Sequence, residues 1–368
     1  MSDSDQGHEA VELLDYLDQP ETGRPGFDRR AFLRRTALTG VAAGSVSTIL
    51  AACGSSASSG GSSSSIFGSH PSYKFVFVNH VTTNPFFTPT QYGIADACKL
   101  LGCTYQWTGS ENSDVNQMVN AFNSAITAKA DGIGVSLIDL HAFNAPVEKA
   151  LAAGIPVISY NADAVGNKRL AYVGQDLKLA GEKMGERIVA AVGSGEVGLF
   201  IATPGSANLQ PRIEGAEKAI KTSGKAITIH TVATGAAVAG EQSTIEAFYQ
   251  SHKAAKGLYA VDGGSTESLA KVVQKLGLRG KVHAGGFDLT EQTQKLLKEG
   301  FLDFTIDQQP YLQGFVPTVE LFFYKVSNTQ TGPFEANTGL KFVTKETVEP
   351  YLTKSRYEGT TASVGVVK

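Results

Sequence analysis

Amide and carboxylate side chains follow several short apolar segments of this chain, and aromatic rings stand beside the first of them. Asn84 precedes Phe86 and Phe87 in an Asn-Pro-Phe-Phe segment. A sugar presents hydroxyl groups around its edge and C–H groups on its faces, so a sugar site combines polar side chains with stacked aromatic rings. Taken alone, the segment favours the simpler interpretation of a turn with two core rings.

Polar groups recur at the ends of later apolar segments. These groups are Asn161 and Asp163 after Tyr160, Asp262 after Val261, Asp288 after Phe287, and Gln308 after Asp307. Each aspartate has an alternative role as a helix N-cap, and Asp288 fits that role ahead of a predicted helix at 291–299. Capping does not account for all of these groups, so their recurrence favours a polar ligand site.

The elements that position these groups alternate along the chain from residue 73. Apolar runs predict strands at 75–78, 103–107, 132–137, 156–160, 170–173, 197–203, 226–232, 257–261, 281–286 and 302–306. Periodic apolar positions predict helices at 90–101, 117–128, 145–153, 177–192, 211–222, 242–251, 265–276 and 291–299. This order predicts two similar α/β units in tandem, each with a parallel sheet covered on both faces. Their ligand is expected outside the carboxyl ends of the strands, in the cleft between the units.

The N-terminal region has the layout of an export signal followed by a linker. Arg29 and Arg30 precede an apolar segment at 36–52, which is too short to span a bilayer. The Ser/Gly-rich run at 54–65 cannot build a core. The sequence therefore predicts a signal peptide over 1–52 and a linker over 53–72.

Two short motifs in this region resemble bacterial export and lipidation signals. Residues 29–33 resemble the twin-arginine export motif, and Leu-Ala-Ala-Cys at 50–53 resembles the lipobox at which lipoproteins are cut and lipidated. The resemblance implies that Cys53 becomes the lipidated first residue of the mature chain. The protein would then sit on the outer face of the cytoplasmic membrane, held by several acyl chains.

The charge balance excludes some classes of partner. The chain has 32 Lys and Arg and 35 Asp and Glu, of which five and eight lie in residues 1–52, so the remainder carries 27 of each. Without a basic excess or a basic block, nucleic-acid binding is not indicated, and membrane attachment depends on the lipid. Cys98 and Cys103 stand near a predicted helix end, where a disulfide and two small core residues are both open interpretations.

Motifs for nucleotide, metal and catalytic chemistry do not stand in the order that such sites require. The Gly-x-Gly-x-x-Gly pattern at 193–198 follows a predicted helix and precedes a strand, whereas a dinucleotide-binding turn follows a strand and opens a helix. The histidines at 80, 141, 230, 252 and 283 lack the close spacing of a zinc motif. No Gly-x-Ser-x-Gly elbow is present. The sequence therefore predicts no catalytic residue, no metal and no cofactor.

From residue 73 to about 345 the chain resembles the ribose-type sugar-binding proteins of bacterial ABC importers, which share their ligand-binding fold with lac-repressor-like regulators. The resemblance rests on Asn84–Phe87, Ala130–Ile133, Ala153–Ile158, Val173–Asp176 with Gly181, Ile213–Gly215, Gly285–Asp288 and Gln308–Pro310. It implies the type I periplasmic binding protein fold, an α/β fold with two doubly wound, Rossmann-like parallel-sheet lobes joined by a three-stranded hinge. Lobe 1 would comprise 73–175 and 309–340, and lobe 2 would comprise 176–308 and 341–368. The hinge crossings would lie near 175–176, 308–309 and 339–343.

Carried over position by position, the resemblance also implies a set of ligand-binding residues. The first-lobe wall would consist of Asn84, Phe86, Phe87, Ser136 and Asn161, and the facing wall of Gln210, Asp262, Asp288 and Gln308. Phe87 would stack on the ligand, and Asp288 would accept hydrogen bonds from two hydroxyls. Arg212 and Asp163 are candidates to replace charged groups that ribose binders carry and this chain lacks, and a surface salt bridge is an equally good interpretation of Arg212. Because Asn161 and Gln210 stand at those charged positions, a neutral sugar other than ribose, or an acyclic polyol, is favoured.

The resemblance predicts a monomeric, lipid-anchored solute-binding protein that delivers a small sugar or polyol to an ABC permease by hinge closure. A repressor-class regulator would need an N-terminal helix-turn-helix, and residues 1–72 offer none. A receptor module that feeds a membrane sensor remains an alternative on sequence alone. An extracytoplasmic α/β enzyme is a further alternative, because catalytic triads are defined in space and not by sequence order.

Overall fold

The computed structural model describes residues 67–352, except for the side chains at 238 and 239. The predicted signal peptide, Cys53 and the linker up to residue 66 lie outside this range, as do residues 353–368. In the described part of the chain, no helix combines the length and the apolar character that a bilayer crossing needs.

The strands of the described range form two six-stranded sheets. In chain order they are β1 (Lys74–Asn79), β2 (Thr104–Gly109), β3 (Gly132–Val135), β4 (Val157–Tyr160), β5 (Ala171–Gly174), β6 (Gly195–Ile201), β7 (Ile227–Ala233), β8 (Gly257–Ala260), β9 (His283–Phe287), β10 (Phe304–Asp307), β11 (Glu335–Asn337) and β12 (Lys341–Val343). The first sheet has the order β11-β5-β4-β3-β1-β2 and the second β12-β10-β9-β8-β6-β7. Every pairing is parallel except that of β10 with β12.

Helices follow the strands and cover the sheets. They are α1 (Thr88–Leu101), α2 (Val115–Thr127), α3 (Asn144–Ala152), α4 (Leu177–Val192), α5 (Gln210–Thr222), α6 (Val238–Ser251), α7 (Gly263–Lys275), α8 (Glu291–Lys298) and α9 (Leu312–Ser327). Short 3-10 turns span Pro85–Phe87 and Glu349–Leu352. We call each sheet with its packed helices a lobe.

Each sheet is apolar on both faces, as expected for parallel strands between two helix layers. In β1, Phe75 and Phe77 belong to one core cluster, while Val76 and Val78 belong to another, because successive side chains point to opposite faces. The second sheet likewise divides its buried residues between two clusters. This two-sided burial explains the nearly continuous apolar runs in the sequence.

The predicted strands and helices are confirmed, with shifts at their ends. Helix α6, for example, begins at 238 instead of 242. The glycine pattern at 193–198 is a helix stop, because Gly193 caps α4 with a φ of 68° and β6 begins at Gly195. Cys98 and Cys103 are free thiols buried in the core of the first lobe.

The chain passes between the two sheets three times: after β5, after β10 and between β11 and β12. Hydrogen bonds tie these passages together. Gln175 Nε2 donates to the Gly339 carbonyl oxygen at 3.0 Å, and Thr338 Oγ1 donates to the Gln308 carbonyl oxygen at 2.7 Å. The three passages lie near the positions at which the family resemblance implies the hinge. The second passage contains Gln308, which is one of the residues expected in the ligand site.

Helices α4 and α5 of the second lobe pack closely because glycines remove side chains at their contact. A Cβ on Gly181 would lie 2.1 Å from the Arg212 carbonyl oxygen, and one on Gly215 would lie 2.3 Å from the Lys178 carbonyl oxygen. Both distances are far below van der Waals contact, so the helices would have to separate. The position of Arg212 therefore depends on glycine at 181.

We expect Gly181→Ala to lower the free energy of unfolding by about 1–3 kcal/mol, because an added methyl group overpacks this contact. Gly240→Ala is the matched control, since Gly240 lies in a helix and has no atom within 4 Å of its added Cβ. The control should be unchanged or slightly more stable. Urea denaturation measures both; equal stability of the two variants would contradict the close-packing argument.

Candidate ligand-binding site

A cavity lies between the two lobes at the carboxyl ends of their strands. Predicted site residues that line it are Asn84, Phe86, Phe87, Asn161, Asp262, Asp288 and Gln308. The cavity has a volume of about 60 Å³ for the centres of water molecules. A single water needs about 10–15 Å³ of such volume. The space therefore suits a few waters or one small ring-shaped molecule.

Asn161 and Asp288 occupy equivalent positions in the two lobes, each directly after the fourth strand of its sheet. Their φ angles are 64° and 74°, in the left-handed region that residues other than glycine adopt infrequently. Such backbone strain is concentrated at ligand sites. Both side chains face the cavity, so the same local feature supplies an amide from one lobe and a carboxylate from the other.

The Asp288 carboxyl lines the cavity and does not cap the following helix. Thr290 caps α8, accepting from the Thr293 N–H at its Oγ1. Asp288 Oδ1 instead accepts from Gln308 Nε2 at 2.6 Å. Burial raises the pKa of Asp288 to about 6, against the opposing effect of the positive charge on Arg212.

Asp262 is a helix cap that also faces the cavity. Its Oδ1 accepts from the Ser265 N–H at 2.8 Å and caps α7, while Oδ2 accepts from the Ala202 N–H at 3.0 Å. The carboxylate also lines the cavity. Burial raises its pKa, and these backbone hydrogen bonds oppose the rise.

Arg212 supplies the positive charge of the site and is only 2% exposed. Its Nη1 donates to the Val261 carbonyl oxygen at 2.8 Å, and its Nη2 donates to Gln175 Oε1 at 3.1 Å. The guanidinium carbon lies 4.1 Å from the centroid of the Phe287 ring, a cation–π contact. These contacts hold the guanidinium at the cavity wall.

Two buried polar atoms of cavity-lining residues have no hydrogen-bond partner: Arg212 Nε, a donor, and Asn161 Oδ1, an acceptor. Leaving such groups unpaired in the absence of water costs about 1–3 kcal/mol each. The pair comes from opposite lobes. A ligand that both accepts and donates hydrogen bonds, as a hydroxyl does, complements them.

The Asn-Pro-Phe-Phe segment forms a turn with two core rings and also supplies the aromatic wall of the cavity. Asn84 Oδ1 accepts from the Phe86 N–H at 3.0 Å, which forms the 3-10 turn and leaves the amide nitrogen for a ligand. Phe87 packs edge-on against Phe86, with ring centroids 4.7 Å apart, and against His80 at 5.3 Å. Both phenylalanines line the cavity while also packing as core rings.

Three predicted site residues do not line the cavity. Ser136 lies behind it, with its Oγ 2.9 Å from His80 Nδ1. Asp163 forms an ion pair with Arg169, with 2.6 Å between Oδ2 and Nη2. Gln210 Oε1 accepts from the Gly205 N–H at 3.0 Å, and Arg212 lines the cavity in its place.

His80 lines the cavity, although its sequence context shows only one of several scattered histidines. Burial lowers its pKa to about 3, so the ring is neutral at ordinary pH. Asn208 Nδ2 in the second lobe lies 3.3 Å from His80 Nε2. With the amide donating to Nε2, His80 Nδ1 carries the proton and donates to Ser136. Its position directly after β1 is a usable signal, because polar residues that follow other strands also line the cavity.

Glu241, near the start of α6, is a second missed residue. It is 2% exposed, lines the cavity and accepts from Ser268 Oγ at 3.3 Å. Its carboxyl fits because residue 264 is glycine, where a Cβ would lie 2.7 Å from Glu241 Oε1. Burial, together with the charge on Asp262, raises the pKa of Glu241 to about 8. Nothing in the sequence around α6 distinguishes this residue from a surface glutamate.

Two facing α/β lobes, with a polar cavity between their strand ends, define a cleft-type receptor for a small polar ligand. A family model described as a periplasmic binding protein domain matches residues 75–321. The chain belongs to this family, and the resemblance found in the sequence is confirmed, as is the fold class.

Several relatives of the chain are named for, or were solved with, a particular sugar or polyol. A xylose/arabinose-binding protein of Sulfolobus acidocaldarius is 50% identical over 310 residues, covering 80% of this chain and 76% of that protein. An ABC transporter solute-binding protein from Burkholderia graminis, solved with D-arabinose, is 26% identical with a TM-score of 0.70, covering 74% of this chain and 96% of that one. A carbohydrate transporter from Acidothermus cellulolyticus, solved with myo-inositol, is 25% identical with a TM-score of 0.69, covering 77% and 97%.

We expect the stability of the unliganded protein to fall as pH rises from about 4.5 to about 8, because the unfolded chain releases the Glu241 proton near its ordinary pKa and the folded chain retains it. Asp288 acts in the same direction up to about pH 6. Glu241→Gln should flatten this decline, as measured by urea denaturation at pH 5 and pH 8.

Glu246→Gln is the matched control, since Glu246 lies on the same helix and pairs with Lys275 at the surface. It should retain the wild-type pH dependence. If the stability of Glu241→Gln declines with pH as steeply as that of the wild type, the claim that burial raises the pKa of Glu241 is contradicted.

Proposed function

We propose that the protein captures a small neutral sugar, most specifically a pentose, in the cavity between its lobes and delivers it to an ABC permease. The observation that carries this proposal is the pair of unpartnered buried atoms, Arg212 Nε and Asn161 Oδ1, that line the cavity from opposite lobes. A sugar hydroxyl, which both accepts and donates, satisfies both. Phe86 and Phe87 offer apolar surface to the C–H faces of the same molecule.

A pentose is favoured over a larger sugar by two considerations. The space in the cavity is small, and the relative at 50% identity is a xylose/arabinose-binding protein. Asp288 and Arg212 supply charge-assisted hydrogen bonds, which are stronger than neutral ones. The protein acts by binding alone, without making or breaking a bond in the sugar.

Ligand binding would act on a hinge equilibrium. Hydrogen bonds already connect the lobes across the cavity, from Asn208 to His80 and from Asn161 to Gln308. A sugar in contact with both lobes binds the closed form better than the open one and therefore shifts the population toward closure. We place lobe 1 at 73–175 with 309–340 and lobe 2 at 176–308 with 341–368. The closed monomer is the form that the permease would recognise.

Isothermal titration with D-xylose and L-arabinose tests the binding site. Asp288→Asn should weaken the affinity about 10- to 150-fold, corresponding to the loss of a charged hydrogen bond of about 1.5–3 kcal/mol. Gln210→Ala is the control, because Gln210 lies at the start of α5 but outside the cavity. Equal weakening in both variants, or heat from neither pentose, would count against a pentose site at this cavity.

The membrane location is proposed from the lipobox-like sequence at 50–53 and the family to which the chain belongs. Cys53→Ser should move the protein from the membrane fraction to the soluble extracytoplasmic fraction, since no lipid is then attached. Ser63→Ala in the linker is the control and should stay with the membrane. Fractionation followed by immunoblotting measures the change; retention of Cys53→Ser in the membrane would contradict the anchor.

A further inference from the structure

Three side chains with metal-ligating atoms converge in the second lobe, away from the sugar cavity. Glu196 lies near the start of β6, His230 lies within β7, and His252 follows the end of α6. One ligand atom from each lies within 4.8 Å of the other two. All three residues are partly buried and none lines the sugar cavity.

The distances in this cluster approach those of a metal site. His230 Nε2 lies 3.5 Å from Glu196 Oε2. Ligand atoms about 2.0–2.2 Å from a tetrahedral Zn²⁺ are about 3.3–3.5 Å apart, so this pair already has the required spacing. The His252 ring centroid lies 4.7 Å from that of His230, and one ligand atom of His252 lies within 4.8 Å of those of the other two residues.

The hydrogen bonding of His252 favours one tautomer of its ring. Its Nδ1 lies 3.1 Å from the Phe248 carbonyl oxygen, which can only accept, so Nδ1 carries the proton and Nε2 presents a lone pair. A backbone carbonyl partner of this kind is what metal-bound histidines use on their second nitrogen. The Phe248 ring stacks on His252 at 4.3 Å and holds its orientation.

His230 supplies an independent observation. Its Nε2 is buried and has no hydrogen-bond partner, although Glu196 stands close by. The neighbouring ladder position, Gly198, has no side chain, and a Cβ there would lie 2.7 Å from the Phe248 ring. Glycine at this position therefore admits the ring that supports His252.

We propose that Glu196, His230 and His252 bind a divalent transition metal ion, Zn²⁺ being the probe of choice, with water completing the coordination. Two imidazoles and one carboxylate suit ions of this class better than Mg²⁺ or Ca²⁺, which prefer oxygen ligands. The ion joins the edge strand β7 to β6 and to the end of α6. Because α6 carries Glu241 near its other end, the ion holds the helix that contributes to the cavity.

Zn²⁺ titration of the full chain against a chromophoric chelator tests the proposal. We expect one tightly bound Zn²⁺ that an excess of Mg²⁺ does not displace, and a rise in melting temperature when Zn²⁺ is added. His230→Ala, His252→Ala and the conservative Glu196→Gln should each weaken binding at least about tenfold. His283→Ala is the matched control, since His283 lies in the same lobe and contacts Asp303 at 2.9 Å.

Pentose titration of the same variants separates this site from the sugar site and confirms that each variant is folded. Sugar affinity, measured without added Zn²⁺, should be the same in the three ligand variants as in the wild-type chain. Absence of Zn²⁺ binding by the wild-type chain would overturn the proposal. Binding that is as tight in His230→Ala and His252→Ala as in His283→Ala would also overturn it, because the ion would then be held by other groups.

Discussion

The buried guanidinium of Arg212 is the constraint on which the second lobe and its cavity depend. A buried charge is costly unless hydrogen bonds and opposite charges compensate it. Here the Val261 carbonyl, the Gln175 amide and the Phe287 ring contact it, while Asp288 and Asp262 favour its charged form. Gln175 belongs to the first passage between the sheets, so the same interaction joins the site to the hinge.

This arrangement leaves the site with one cation and three buried carboxyl groups, on Asp262, Asp288 and Glu241. Burial raises the pKa of each carboxyl, most clearly that of Glu241. A protonated carboxyl donates a hydrogen bond and a carboxylate only accepts. The cavity therefore offers both donors and acceptors over a range of pH, which matches the mixed character of sugar hydroxyls.

The fold and much of the site follow from the sequence because apolar periodicity is strong and parallel strands bring their carboxyl ends together. The family resemblance implies Gln210 as a cavity residue, but Arg212, two residues further along the chain, lines the cavity instead. This difference shows the limit of transferring site residues position by position. Two residues on a helix differ by about 200° around its axis, so a small offset moves a side chain to the opposite face. Asp163 illustrates another limit, since Arg169 captures its carboxylate through a contact that no local pattern reveals.

Glu241 and the Glu196, His230 and His252 cluster were missed for a related reason. Their members come from elements that are distant in sequence and adjacent only in the folded lobe. Short-range spacing detects a metal motif only when the ligands share one turn or one loop. Gly264 makes room for the Glu241 carboxyl, and Gly198 makes room for the Phe248 ring that supports His252. These roles can be recognised only when the neighbours of each glycine in the folded lobe are known.

The most direct test of the account is a crystal structure of the protein with a bound pentose. The account predicts that sugar oxygens lie within hydrogen-bonding distance of Arg212 Nε and Asn161 Oδ1, the buried atoms of described cavity-lining residues that have no hydrogen-bond partner. One ring face should lie against Phe86 or Phe87. A sugar bound elsewhere, or one that leaves both atoms unpaired, would contradict the assignment of the interlobe cavity as the sugar site.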